Sequence, residues 1–188
     1  MITKFRHLAF MGLAAFLSAC ASGGISHLSP SDQAMVHDVE NALNRPQPVT
    51  GAFEQVGPGN WAGRGHFTYH PGYLLLAYDV PHGLRAEAEN QHLVVTDKAN
   101  GAVTRIGLAR HPLGLLLRKP LRLTRAIQVT QLVQTPGLLR ISLAEAANPS
   151  QGLLSLDFEK TPAGLRLKNL IGTDVRKQQI QLSLHESP

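Results

Sequence analysis

The chain of 188 residues carries 18 Lys and Arg against 13 Asp and Glu, a net charge of +5, with 43% hydrophobic and 16% charged residues. That is the length of one domain, and so much aliphatic content with so little charge excludes a disordered tail. A single cysteine excludes an internal disulfide, a CxxC redox pair and a multi-cysteine zinc site.

Lys4 and Arg6 precede an apolar run over residues 8–17 (LAFMGLAAFL). A hydrocarbon core of ~30 Å needs about 20 residues, so this run is too short to span and has signal-peptide geometry. It ends in Leu17-Ser18-Ala19-Cys20, which resembles the lipobox of bacterial lipoproteins. The resemblance implies cleavage before Cys20 and a lipid on its thiol, which attaches the chain to a membrane. Ala21, in place of Asp, implies delivery to the outer membrane, facing the periplasm. The alternative is ordinary secretion through the A-x-A pattern Ala19-Cys20-Ala21, which gives a soluble periplasmic protein. Loss of residues 1–19 leaves 16 basic and 13 acidic groups, or +3, because Lys4 and Arg6 go with them. Dispersed charge on an exported chain then speaks against nucleic acid as a partner.

Three segments are expected: a signal peptide over 1–19, a tether over 20–30 and one domain over 31–188. The tether is small and polar. Residues 29–44 read as a helix. Ser29 or Ser31 can cap it, Pro30 suits the first turn, and Asp32 suits the positive end of the dipole. Met35, Val36, Val39, Ala42 and Leu43 form one apolar stripe, and Pro46 and Pro48 stop the helix.

Period-two alternation then takes over. Strands are predicted over 49–56, 61–70, 73–80, 84–89, 92–97 and 103–108. The segment 73–80 is apolar on both faces, as for a strand covered on both sides. Residues 111–117 (HPLGLLL) break the alternation and predict a short helical turn. Strands resume over 127–133, 138–144, 153–158, 165–170 and 179–185. About eleven meandering strands with one helix predict a mainly β fold, an antiparallel sheet curled into a barrel or half-barrel.

Catalytic chemistry finds little footing. HExxH, GxSxG, a phosphate-binding loop and a complete dinucleotide fingerprint are absent from the sequence. Gly63-x-Gly65 continues without the third glycine. His66 and His70 share a strand face but stand roughly 13 Å apart, too far for one metal ion. Neither an enzyme, a metal nor a cofactor is expected. One helix, however, cannot cover eleven strands. A concave sheet with a greasy strand at 73–78 therefore encloses an apolar hollow. The leucines at 113 and 115–117 either plug it or act as a lid over a ligand.

From Val49 to the C-terminus the chain resembles the LolA family of periplasmic lipoprotein carriers. A family opening like G-x-F-x-Q-V-G-P appears as Gly51-Ala52-Phe53-Glu54-Gln55-Val56-Gly57-Pro58, then G-x-F as Gly65-His66-Phe67. A signature like R-P-G…F-E-Y-D-x-P is met by His70-Pro71-Gly72 and Leu76-Ala77-Tyr78-Asp79-Val80-Pro81. T-P-L-x-L-L is met by His111-Pro112-Leu113-Gly114-Leu115-Leu116, G-x-L-x-L-x-F by Gly152 to Phe158, and V-T-D loosely by Gly172-Thr173-Asp174.

The resemblance implies an eleven-stranded half-barrel with helices as a lid over a hydrophobic cavity that shields lipoprotein acyl chains. It implies cavity positions at Phe53, Phe67, Tyr69, Leu74, Leu76, Tyr78, Ile141, Leu154 and Leu156. Lid positions fall at Met35, Val39, Leu113, Leu116 and Leu117. The family's arginine before Pro-Gly, which helps hold the lid, is His70 here, and two more positive positions are Tyr73 and Leu75. That implies a less gated, greasier cavity. The carrier LolA is soluble, whereas its receptor partner LolB is a related lipoprotein, so Cys20 is receptor-like and the motifs are carrier-like. Expected partners are acylated lipoproteins and an inner-membrane lipoprotein-releasing complex. A structural or interaction lipoprotein with a side-chain-filled hollow is the other reading.

Overall fold

The computed structural model describes residues 25–109, 111–123 and 126–187. Cys20 and the expected signal peptide lie outside them. Helix α1 spans Pro30–Leu43. Ser29 is its cap rather than its first residue: the side-chain oxygen accepts from the Asp32 amide at 3.2 Å, and Pro30 opens the first turn. Val36, Val39 and Leu43 bury the predicted stripe.

Eleven strands follow: β1 (Val49–Val56), β2 (Ala62–His70), β3 (Tyr73–Val80), β4 (Leu84–Glu89), β5 (His92–Asp97) and β6 (Ala102–Gly107) come first. After the leucine segment Pro112–Leu117, a 3₁₀ helix, come β7 (Ile127–Gln134), β8 (Leu138–Glu145), β9 (Gly152–Thr161), β10 (Gly164–Asp174) and β11 (Gln179–Glu186). Two further 3₁₀ turns, Pro58–Asn60 and Pro149–Gln151, stand where turns are expected. β9 and β10 are longer than predicted. Pro162-Ala163 is only a two-residue turn, and the ladder runs from Gly164↔Thr161 to Asp174↔Gly152. The polar residues near the turn hid these ends from the alternation.

All strands form one antiparallel sheet in the order β6-β5-β4-β3-β2-β1-β11-β10-β9-β8-β7. Every neighbour is sequential except β1 and β11, which pair from Gly51↔Glu186 to Val56↔Gln181. The sheet is thus an open half-barrel, interrupted between β6 and β7, where the leucine segment intervenes. Register shifts at Arg64/Gly65, Val129/Gln131 and Leu167/Asn169 curl it. A Cβ on Gly65 would run into the Ala77 carbonyl, so the tight β2–β3 approach there requires glycine.

The sheet has two ends. The upper end carries the connections 57–61, 81–83, 98–101 and 175–178; the lower end carries 71–72, 90–91 and 162–163. Helix α1 lies at the lower end. The Tyr69 hydroxyl donates to the Leu43 carbonyl at 3.1 Å, and the Arg45 guanidinium to the Leu165 carbonyl at 2.5 Å. The leucine segment packs on β8, β9 and β10. Ile141, Leu143, Leu154, Leu156 and Phe158 are fully buried beneath this cover.

β3 differs from expectation. Leu74, Leu76 and Tyr78 are buried on the inner face, but Tyr73, Leu75 and Ala77 are only half-buried on the outer one. Neighbouring side chains give partial cover there: Tyr73 stacks on His70 and donates to Glu87 at 2.7 Å.

Candidate functional site

The inner face is filled unequally. Over β8–β10, α1 and the leucine segment close the core. Over β3–β5 a cavity of about 480 Å³ is left. Small residues make the room: on β4, Ala86 and Ala88 stand opposite Leu76 and Leu74 of β3. Leu84, Leu93 and Val95 continue the wall, Leu113 comes from the leucine segment, and Ile180 and Leu182 from β11. Trp61 and Ile180 are 38% and 41% exposed, so they form the rim.

Three aromatic rings brace the wall. Tyr78 meets Phe53 edge-on at 5.0 Å and Trp61 at 5.9 Å. Gly63 permits this, because a Cβ there would press on both the Trp61 and the Tyr78 ring. The Tyr78 hydroxyl donates to Gln55 Oε1 at 2.5 Å. Burial pushes its pKa up to about 12, so the wall carries no charge there near neutral pH. An adjoining space of about 140 Å³ shares Pro58, Leu113, Ile180 and Leu182 and ends at His111 and Asp174.

The expected cavity residues separate into groups. Leu74, Leu76 and Tyr78 stand on the main wall, with Phe53 packed behind Tyr78. Phe67 and Tyr69 border a space of only about 30 Å³ beneath α1. Leu154 reaches the adjoining space. Ile141 and Leu156 sit in the packed core and are not on the main wall.

The expected lid residues also divide. Leu113 is on the wall, Leu116 borders the small space beneath α1, and Leu117 is buried. Val39 is buried and Met35 half-buried, the latter beside a polar groove with Asp38 and Lys160 rather than over the cavity. His70 is on the outer face; its ring stacks on Tyr73 at 4.8 Å, and its Nδ1 lies 3.3 Å from the Pro71 carbonyl. Among the described residues it makes no hydrogen bond to α1 or the leucine segment.

A different group ties the cover down. Buried Glu40 of α1 accepts from the Leu123 amide at 2.6 Å and faces Arg122 and His37 at 3.5 and 3.2 Å. Asn44 exchanges two hydrogen bonds with the Leu121 backbone, both 2.8 Å. Sequence reading passed over Glu40, Asn44, Ala86, Ala88 and Trp61. The L-x-A-x-A alternation of β4, small residues facing a greasy strand, is the one available signal for a hollow there. Among the described residues no group of three His, Cys, Asp or Glu could hold a metal, and no helix is long and apolar enough to cross a membrane.

No protein-family model matches the sequence, and no curated protein matches it. The structure is similar to crystal structures of low identity. A LolA superfamily protein from Nitrosomonas europaea is 12% identical with a TM-score of 0.36, covering 83% of this chain and 94% of that one. A DUF1329 family protein from Desulfovibrio piger is 9% identical with a TM-score of 0.48, covering 82% and 90%. The Mycobacterium tuberculosis lipoprotein LppX is 11% identical with a TM-score of 0.40, covering 83% and 94%. At these scores the likenesses carry nothing about a ligand or a partner. The fold class rests on the eleven-stranded sheet and its helix.

Proposed function

We propose that the chain is an acyl-chain-binding protein rather than an enzyme: a lipid-anchored carrier or receptor, similar to the LolA and LolB proteins, that helps localise lipoproteins to the outer membrane. The observation that carries this reading is the unfilled apolar cavity of about 480 Å³ over β3–β5. Its size lies in the range of ligand sites. Its apolar lining and volume suit an acyl chain. Each methylene buried there gains about 0.8 kcal/mol. His70, at the position of the family's gating arginine, makes no hydrogen bond to the cover among the described residues, and the Glu40–Asn44 attachment to residues 121–123 takes its place in this reading. The lipid anchor on Cys20, the periplasmic location and a lipoprotein-releasing partner come from the sequence motifs.

Binding of a fluorescent fatty acid to the purified chain, displaced by an acylated lipoprotein, tests the reading. A charge at Leu76 desolvates badly; Leu76→Glu is expected to weaken the probe more than tenfold, while Gln181→Glu, on an exposed position, leaves it unchanged. Equal losses at both positions in folded protein, or no binding by the parent chain, would sink the assignment. If the parent does not bind, the filled β8–β10 half favours the structural-lipoprotein reading.

A further inference from the structure

Exposed apolar side chains are unevenly placed. Of the nine large ones among the described residues, Val56, Trp61, Val80, Val103, Val175 and Ile180 stand at the upper end of the sheet, and of these Trp61 and Ile180 form the rim of the cavity. The tips of the same end carry the exposed cations Lys98, Arg176 and Lys177, none in an ion pair among the described residues.

Among the described residues the neighbouring carboxylates make no ion pair with these cations. Asp174 Oδ1 accepts from the Arg176 and Gln178 amides at 2.8 and 2.9 Å, and Asp97 Oδ1 from the Ala99 amide at 2.9 Å. Asp79 faces His66 at 3.5 Å. The Asp174 turn, with Lys177 in the left-handed region at φ 63°, holds Val175, Arg176 and Lys177 together at one tip.

We propose that this upper end docks on an anionic phospholipid surface. Val175, Trp61 and Ile180 enter the interfacial zone, the three cations meet lipid phosphates, and the cavity mouth faces the bilayer. Apolar tips on separate loops, with long cations on the 98–101 and 175–178 loops, suit a deformable lipid surface better than a protein groove, which needs a contiguous packed patch. Trp is also the side chain that settles at headgroup level. This contact is separate from any lipid on Cys20, because α1, to which the N-terminal segment leads, lies at the lower end. It also stands without the acyl-chain reading.

Trp61 is the single tryptophan of the chain, so its emission reports from the rim. The full chain is mixed with phosphatidylcholine vesicles with or without phosphatidylglycerol, and quenching by bromine-labelled acyl chains is followed. The expected result is a blue shift and quenching with anionic vesicles, reduced by added salt. Arg176→Glu combined with Lys177→Glu is expected to weaken this response at least about 25-fold and to leave fatty-acid binding intact. Ala86→Phe, which fills the cavity, is expected to lose fatty-acid binding and keep the vesicle response. The proposal is overturned if the chain sediments with vesicles while Trp61 emission stays unchanged, or if neutral vesicles act equally. It also fails if the charge-reversed chain responds like the parent, or if Trp61 responds only to an added protein partner. A response lost in Ala86→Phe would mean lipid uptake into the cavity rather than docking. Fatty-acid binding without a vesicle response sinks docking alone, and the converse sinks the acyl-chain reading alone.

Discussion

Arg140 on β8 grips Asp157 on β9 through two hydrogen bonds, 2.5 and 2.7 Å, with the Asn169 amide adding a third at 3.3 Å. The Arg140 hydrogen bonds are the main cause that holds the Asp157 pKa below its ordinary value, against the opposing cost of burial. A carboxylate whose folded pKa is depressed contributes stability above its unfolded pKa, and that contribution disappears as pH falls through the folded value. Asp157→Asn is therefore expected to cost about 2 kcal/mol near neutral pH, the worth of a charged hydrogen-bond pair discounted for the part-exposed arginine. Denaturant titration across pH should also show a flatter acid limb than the parent. At this scale the sequence was partly legible. Leu74, Leu76 and Tyr78 announce themselves as an apolar strand. Asp157 does not, because a carboxylate inside an apolar alternation reads as solvent-facing until its partner on the neighbouring strand is known.

At the scale of elements, the Pro112–Leu117 segment decides how the hollow is divided. His111 Nδ1 accepts from the Leu113 amide at 3.2 Å, and Leu113 stands on the cavity wall. That cap requires an unprotonated nitrogen. Desolvation lowers the His111 pKa, opposed by the Asp174 charge. A histidine with a lowered folded pKa contributes stability above its ordinary value, and this is lost as pH drops through the lowered one. Fatty-acid affinity is thus expected to hold at neutral pH and to fall several-fold as pH drops below the ordinary histidine value of about 6.5. His111→Asn, which keeps a capping side chain, should flatten that profile in the same titration. The turn itself was legible from the broken alternation and Pro112. Its role was not, since no periodicity says that one end of a short helix walls a cavity while the other is buried in a core. The residue expected as a gate, His70, illustrates the same limit: alternation places it on the outer face, and only the assembled sheet shows that the cover is fastened through Glu40 and Asn44 instead.

For the whole molecule, the decisive arrangement is a meander closed by β1 and β11 and left open between β6 and β7. One 14-residue helix covers the lower end and leaves the β3–β5 side uncovered. An unfilled apolar hollow costs stability, by ~24 cal/mol per Å³ in packed cores, which a binding protein tolerates for the sake of its ligand. Ala86→Phe is expected to raise the stability of the unliganded chain by about 1 kcal/mol while abolishing fatty-acid binding, as read by thermal unfolding and probe titration on one preparation. A loss of stability instead would mean that the space closes in solution.

The sequence by itself determined the strand count, the cap and stripe of the helix, and a hydrophobic content beyond what one helix can cover. These follow from local periods of 2 and 3.6 residues, which each segment carries alone. Only the tertiary structure decided where the hollow lies, which leucines fill it and which line it, and that apolar and basic side chains from distant loops share one end of the sheet. Those are relations between segments far apart in the chain, set by register, curl and volume, which no single segment carries.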